Sequence, residues 1–230
     1  MKIKVILFGS TGMLGQAVLL ECLENKEVES ILVINRKSFT ISHPKLKEII
    51  QKDLFDLSGL TAEMTGYNTC LFCLGISSAG MKEADYYRIT YDLTLNTAKT
   101  LLEINKDLTF CYISGSGTDS SEKGKMMWAR VKGKTENDLL AMPFKKTYMF
   151  RPAFIQPMKG IRSRTKSYNM IYAIFKPFYF ILKHFSGFVT NTETFGKAMI
   201  LTVFNGYEKN ILENRDINKI VKDNRDLNIL

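Results

Sequence analysis

Ile3-Lys4-Val5-Ile6-Leu7-Phe8-Gly9-Ser10-Thr11-Gly12-Met13-Leu14-Gly15 is an apolar run that breaks into three glycines and restarts with helical spacing. A buried strand broken in this way brings backbone NH groups and the positive end of a helix dipole to one point, where a pyrophosphate can sit. Gly9 permits the tight turn, Gly12 the close approach of backbone to phosphate, and Gly15 the close packing of helix on strand. The stretch therefore predicts a dinucleotide cradle formed by Gly9, Ser10, Thr11, Gly12, Met13, Leu14 and Gly15. For a lone glycine trio the alternative is an ordinary strand-to-helix loop.

Downstream, strands and helices alternate. Met13 to Glu24 carries Leu14, Ala17, Val18, Leu20 and Leu23 at helical spacing, and Ile31-Leu32-Val33-Ile34 follows as a second buried strand ending in Asn35-Arg36-Lys37. In a dinucleotide fold this strand end faces the adenosine ribose, and a carboxylate there binds the 2′-hydroxyl. Two cations stand there instead, which suits a 2′-phosphate. NADP is thus expected over NAD, with Arg36 foremost because its planar fork matches phosphate; the alternative is a basic loop residue. Leu46 to Lys52 predicts a third strand closed by Asp53-Leu54, beside the adenine ring, although an acidic residue after a strand serves equally as a helix cap. Thr69 to Gly75 predicts a fourth strand whose terminal glycine lets the chain pass close to a cofactor.

From Asp85 the spacing of Tyr86, Ile89, Leu93, Leu95, Ala98, Leu101 and Leu102 predicts a long helix. Thr109 to Ile113 is a fifth strand, ending in Ser114-Gly115-Ser116-Gly117. Trp128 to Glu136 starts another helix, and a sixth strand around Thr147 to Phe150 leads into Arg151-Pro152-Ala153-Phe154. Continuous rather than alternating apolarity implies strands buried on both faces, hence an α/β parallel sheet with helices on each side. The expected organisation is one doubly wound domain over residues 1–230, with a dinucleotide-binding core at 1–152 and a substrate-side segment at 153–230. Within the latter, Glu193 to Val203 predicts a helix and Ile211 to Ile217 a terminal strand.

The chain has 230 residues, 45% of them apolar, enough for a full core. Lys and Arg number 32 against 23 acidic residues, and the net charge of +9 favours an anionic partner. Nucleic acid ranks last among such partners, because no recognition motif accompanies the charge. Cys22, Cys70, Cys73 and Cys111 all sit in apolar stretches. Cys70 and Cys73, three apart in a strand, face opposite sides and are badly placed for a bridge or a shared metal. With no disulfide framework and no signal-peptide pattern, a reducing cytoplasm is expected. The two histidines, His43 and His184, support neither a metal site nor a Ser-His-Asp triad. Lys159 to Lys166 is a basic loop, either solvated or meeting an anionic substrate. Tyr168 to Phe185 is too short and too interrupted to span a membrane, and is expected to cover the substrate pocket, with peripheral membrane contact as the alternative.

With these motifs in place, the sequence resembles the atypical branch of the short-chain dehydrogenase/reductase superfamily, the NAD-dependent epimerase/dehydratase-like proteins with a Rossmann fold. The carriers are the glycine turn, Asp53-Leu54, Cys73-Leu74-Gly75, the strand end with Ser114 and Ser116, and Lys132-Gly133 with Glu136, followed by Arg151-Pro152. Phe72-Cys73-Leu74-Gly75, Ser114 to Asp119, Val131-Lys132-Gly133, Phe150-Arg151-Pro152 and Leu212-Glu213-Asn214 are similar to the Tat-interacting-protein-like oxidoreductases. The resemblance implies NADP(H) held also by Cys73, Leu74, Gly75, Lys132, Pro152 and Phe154, with a small-molecule substrate beside it. It further implies a Ser-Tyr-Lys active site in which the tyrosine moves a proton, the lysine lowers its pKa and holds the ribose, and Ser116 or Ser114 bonds the substrate oxygen.

Four residues before Lys132, where that tyrosine belongs, stands Trp128. An indole NH donates but does not titrate usefully. Either the protein is an oxidoreductase or epimerase-like enzyme of weak or altered activity, with an acid drawn from Tyr86, Tyr87, Tyr91 or Tyr112, or it is a non-catalytic NADPH-sensing regulatory or scaffold protein.

Overall fold

A computed structural model describes residues 2–39, 41–161 and 187–226. Seven parallel strands form the central sheet: β1 (Ile3–Phe8), β2 (Val28–Asn35), β3 (Leu46–Ile50), β4 (Thr69–Phe72), β5 (Thr109–Ile113), β6 (Lys146–Arg151) and β9 (Ile211–Glu213), in the order β3-β2-β1-β4-β5-β6-β9. Every neighbouring pair is parallel. A two-stranded ladder, β7 (Phe154–Gln156) with β8 (Val189–Asn191), stands apart. The doubly wound Rossmann-like α/β fold read from the sequence is the observed one. Strand order reverses between β1 and β4, and the crevice outside the carboxyl ends of those strands is where ligands bind in open sheets of this kind.

Both sheet faces are buried. Val5 and Leu7 of β1 and Leu71 of β4 pack with α1 (Met13–Glu24) and α6 (Thr192–Asn205). Ile6, Phe8, Cys70 and Phe72 point the other way, toward α2 (Thr61–Met64), α4 (Leu93–Ile104) and α5 (Met127–Ala141). A one-residue slip of β1 would exchange these sets, so two dissimilar cores pin the register. Each fully buried aliphatic or aromatic side chain contributes about 1.5–3 kcal/mol to that preference. The same alternation puts Cys70 in one core and Cys73 against the other, and all four thiols are free.

Several boundaries differ from expectation. β4 ends at Phe72: the Cys73 NH makes the last ladder bond, to Phe8 O at 3.0 Å, and β1 then turns away at Gly9, leaving no partner strand. The helix read from Asp85 is three pieces: α3 (Glu83–Tyr87), a π-turn (Arg88–Asp92) and α4. The wide turn leaves Ile89 39% exposed, so the periodicity that assigned it to the core failed there. The terminal strand stops at Glu213, and Asn214–Asp226 is a helix, α7, in place of the strand expected to reach Ile217. Asp216 Oδ2 accepts the Glu213 NH at 3.1 Å, turning the chain into that helix. Lys159 of the basic loop is described and pairs with Glu21 and Glu24, each at 3.0 Å. Arg162 to Lys166 and the apolar segment 168–185 lie outside the described residues.

Candidate functional site

Gly9 has φ +81°, and a Cβ on it would stand 2.7 Å from the Cys73 carbonyl carbon. Only glycine allows β1 to leave the sheet this close to the β4 exit. A Cβ on Gly15 would meet Gly9 O at 2.1 Å, so α1 starts directly against the turn. At Gly12 the nearest protein atom to such a Cβ is Gly9 O at 3.4 Å, an ordinary contact, leaving its other side open. Gly12 caps α1 with no side-chain acceptor, and the first turn carries no acidic residue. The first NH groups and the helix dipole are therefore left for an anion.

That end of α1 faces a cavity of about 950 Å³. Gly9, Thr11 and Gly12 form its floor, Cys73, Leu74, Gly75, Ile76 and Ser77 one wall, and Asn35, Arg36, Lys37, Lys52, Asp53 and Leu54 the far end. Ten of the predicted cofactor residues besides Asn35 thus line one cavity with it. Ser10, Met13, Leu14 and Gly15 support the turn from behind: Ser10 is buried, and Met13 and Leu14 pack on the core.

Asn35 is 3% exposed and its amide is committed. Its Oδ1 accepts from Ser10 Oγ at 3.0 Å, and its Nδ2 donates to Glu48 Oε1 at 2.9 Å. Asp53 Oδ1 accepts the Phe55 NH at 2.9 Å in a local turn, and the next helical segment starts only at Ser58, so the residue caps no helix. Lys52 and Arg88 are cations the sequence reading missed. Lys52 was absorbed into a strand that ends at Ile50, and Arg88 enters the wall through the π-turn, its guanidinium 5.2 Å from the Phe55 ring centroid. Among the described residues none of Arg36, Lys37, Lys52 and Arg88 forms an ion pair. Four cations against one carboxylate, Asp53, make this cavity electropositive.

The serines, tryptophan and lysine are not among the residues lining this cavity and gather around the end of β5. Ser114 is buried, and its hydroxyl donates to Glu136 Oε1 of α5 and approaches Phe150 O at 3.2 Å. Glu136 is fully buried and is clamped by Arg151, whose Nε reaches its two oxygens at 3.0 and 3.2 Å. Arg151 also bonds Glu213 at 3.1 Å and Ser120 Oγ at 2.6 Å. Ser116 is exposed and held by its NH on Pro152 O at 2.8 Å. Trp128 lies over Gly117, its Cη2 3.5 Å from where a Cβ there would stand. One turn on, Lys132 Nζ donates to Ser114 O. Phe154 belongs to the β7–β8 ladder, its NH donating to Phe188 O at 3.0 Å. Of the tyrosines weighed as substitutes, Tyr86 and Tyr112 are fully buried. Tyr87 and Tyr91 stack on each other with centroids 4.6 Å apart, and Tyr91 donates to Asp138.

Burial pulls the Lys132 pKa down to about 8, with the Glu136 carboxylate opposing the shift. An unfolded lysine titrates near 10.4. Between these values the unfolded chain holds more protons than the folded one, so Lys132 makes stability rise with pH there. Between pH 7.5 and 10.5 the urea midpoint of the wild type should gain on that of Lys132→Met, against the common fall that the four thiols, pushed up by burial, impose on both proteins.

No protein-family model matches the chain. Among curated relatives, "Protein FMP52, mitochondrial" of Meyerozyma guilliermondii is 27% identical over 154 residues, 66% of this chain and 65% of that protein. "Protein fmp52-2, mitochondrial" of Aspergillus oryzae is 25% identical over 150 residues, 64% of this chain. The matched stretch thus spans 65% of the length of each. These names overturn the expected cytoplasmic location: free, buried thiols report a reducing environment, and that does not single out the cytoplasm. Among solved structures, a UDP-N-acetylglucosamine 4-epimerase from Methanobrevibacter ruminantium, in complex with UDP-N-acetylmuramic acid, superposes with TM-score 0.66 at 15% identity, covering 98% of this chain and 83% of that one. The enzyme WbmF of Bordetella bronchiseptica, in complex with NAD+, gives 0.65 at 15% identity, covering 96% and 78%. What the chain shares with these structures is the Rossmann-like α/β fold.

Proposed function

We propose that this chain binds a nicotinamide dinucleotide, with the pyrophosphate on the Gly9–Gly12 turn and α1, and the adenosine 2′-phosphate of NADP(H) on Arg36, flanked by Lys37 and Lys52. The observation that carries the reading is the cavity itself, which joins an uncapped helix start to four cations without ion pairs among the described residues. The fit is chemical as well as spatial. Gly12 is open on the side a phosphate would take, and Arg36 presents a planar fork with no carboxylate partner among the described residues. Residues 153–230 are assigned to the substrate side, and the motif phrases around Ser114, Lys132 and Arg151 support placement beside the Tat-interacting-protein-like oxidoreductases.

When bound, the nicotinamide supplies hydride chemistry. Around it the chain offers Ser116 as the exposed hydroxyl for a substrate oxygen, because the Ser114 hydroxyl is committed to Glu136. Lys132 holds the ribose side and, with its lowered pKa, lies close to neutrality at mildly alkaline pH. Trp128 occupies the proton donor's place without a titratable proton, so oxidoreductase or epimerase-like turnover of a small-molecule substrate is weak. The same tryptophan favours a second reading, an NADPH-responsive regulatory or scaffold protein.

Trp128 is the only tryptophan, so energy transfer from it to bound NADPH reports binding without interference. The expected result is saturable binding by the wild type with negligible reduction of a carbonyl panel, and measurable turnover in Trp128→Tyr. Ordinary reductase rates with Trp128 intact would refute the missing-donor reading. Absence of turnover in a folded Trp128→Tyr that still binds NADPH by calorimetry, since the variant has no tryptophan to report it, would favour the regulatory one.

A further inference from the structure

We propose that Glu48 is a positioning residue for the 2′-phosphate: through Asn35 and Ser38 it fixes the loop that carries Arg36 and Lys37, and so sets a preference for NADP(H) over NAD(H). The inference rests on the dinucleotide reading above. Glu48 stands on β3, paired in register with Val33 of β2, and is not part of the cavity wall. Its carboxylate accepts from Asn35 Nδ2 at 2.9 Å and from Ser38 Oγ at 2.8 Å. Since Asn35 Oδ1 accepts from Ser10 Oγ at 3.0 Å, one hydrogen-bonded chain runs from the glycine turn, through the end of β2, to the exposed loop beyond Lys37. An amide placed between a hydroxyl donor and a carboxylate has only one satisfying orientation.

Arg36, Lys37 and Lys52 line the same end of the cavity, yet among the described residues Glu48 forms no ion pair. Its two oxygens are occupied by neutral donors, and the cations remain for a ligand. Two effects of the carboxylate oppose each other: its charge repels a phosphate, while its hydrogen bonds aim the loop. The carboxylate is partly exposed and off the cavity wall, so its field on the ligand is screened. Bidentate contact between a guanidinium and a phosphate, by contrast, depends on direction. Positioning therefore outweighs repulsion.

Calorimetric titration of the whole protein with adenosine 2′,5′-bisphosphate and with adenosine 5′-monophosphate separates the two effects. In Glu48→Ala and in Ser38→Ala, affinity for the bisphosphate should fall about fivefold or more, the scale of one net hydrogen bond, while the monophosphate changes less than twofold. Ser38 is exposed, so Ser38→Ala decides the matter if Glu48→Ala does not fold. Unchanged or increased bisphosphate affinity in the variants, or an equal loss for both ligands, overturns the positioning role. A wild type that binds neither nucleotide overturns the cofactor reading instead.

Discussion

Gly15→Ala is expected to lose dinucleotide binding and about 2–3 kcal/mol of stability, lowering the thermal midpoint by roughly 4–12 °C. The added methyl would lie 2.1 Å from Gly9 O and 3.0 Å from Ser10 Cα, and both are backbone atoms that no rotamer change can move aside. Either α1 shifts or the turn opens. α1 cannot shift cheaply, because its other side is packed on α6: a Cβ on Gly196 would already stand 3.1 Å from Ala17 O and 2.7 Å from Glu21 Cγ. The turn therefore gives way, and with it the NH groups aimed at the cavity. Differential scanning calorimetry with and without NADPH checks both parts. Wild-type stability combined with wild-type binding would show that the α1–turn contact is slack.

Glu136→Ala should cost about 3–5 kcal/mol, because it leaves Arg151, whose side chain is 11% exposed, with only the half-exposed Glu213 in place of its buried partner. The damage is also local to the proposed active site. Glu136 receives the Ser114 hydroxyl, and Ser114 O receives Lys132, so removing one carboxylate releases the strand end and the lysine together. An apolar exchange of the pair, Glu136→Leu with Arg151→Met, should recover most of the stability in urea unfolding. It should not restore the pinned orientation of Ser114. A double variant no more stable than Glu136→Ala would mean that packing, rather than an unpaired charge, is what the single change loses.

Much of the fold was legible because its signals are local and repeated. Apolar runs at β1, β2, β4 and β5 gave both-face burial, and the glycines at 9, 12 and 15 marked the turn. What sequence could not supply were consequences of tertiary approach. Glu48 sits 13 residues from Asn35 along the chain, and only the β2–β3 register brings its carboxylate to the end of β2, where the sequence showed none. The π-turn that swings Arg88 into the cavity departs from the 3.6-residue period on which helix reading depends. The serine ambiguity was likewise beyond spacing alone. Ser114 and Ser116 are two apart, yet Ser114 is committed to a buried carboxylate on a helix 22 residues later, and Ser116 faces solvent.

The central claim, a dinucleotide cradle whose adenosine end is built for a 2′-phosphate, is tested most directly by titrating the wild type and Arg36→Ala in parallel with NADPH and NADH. The wild type should bind NADPH at least about tenfold more tightly than NADH, the scale of one charge-assisted phosphate contact. Arg36→Ala should erase most of that difference while leaving NADH nearly unaffected. Equal affinity of the wild type for the two, or a preference for NADPH that survives the loss of Arg36, would contradict the account.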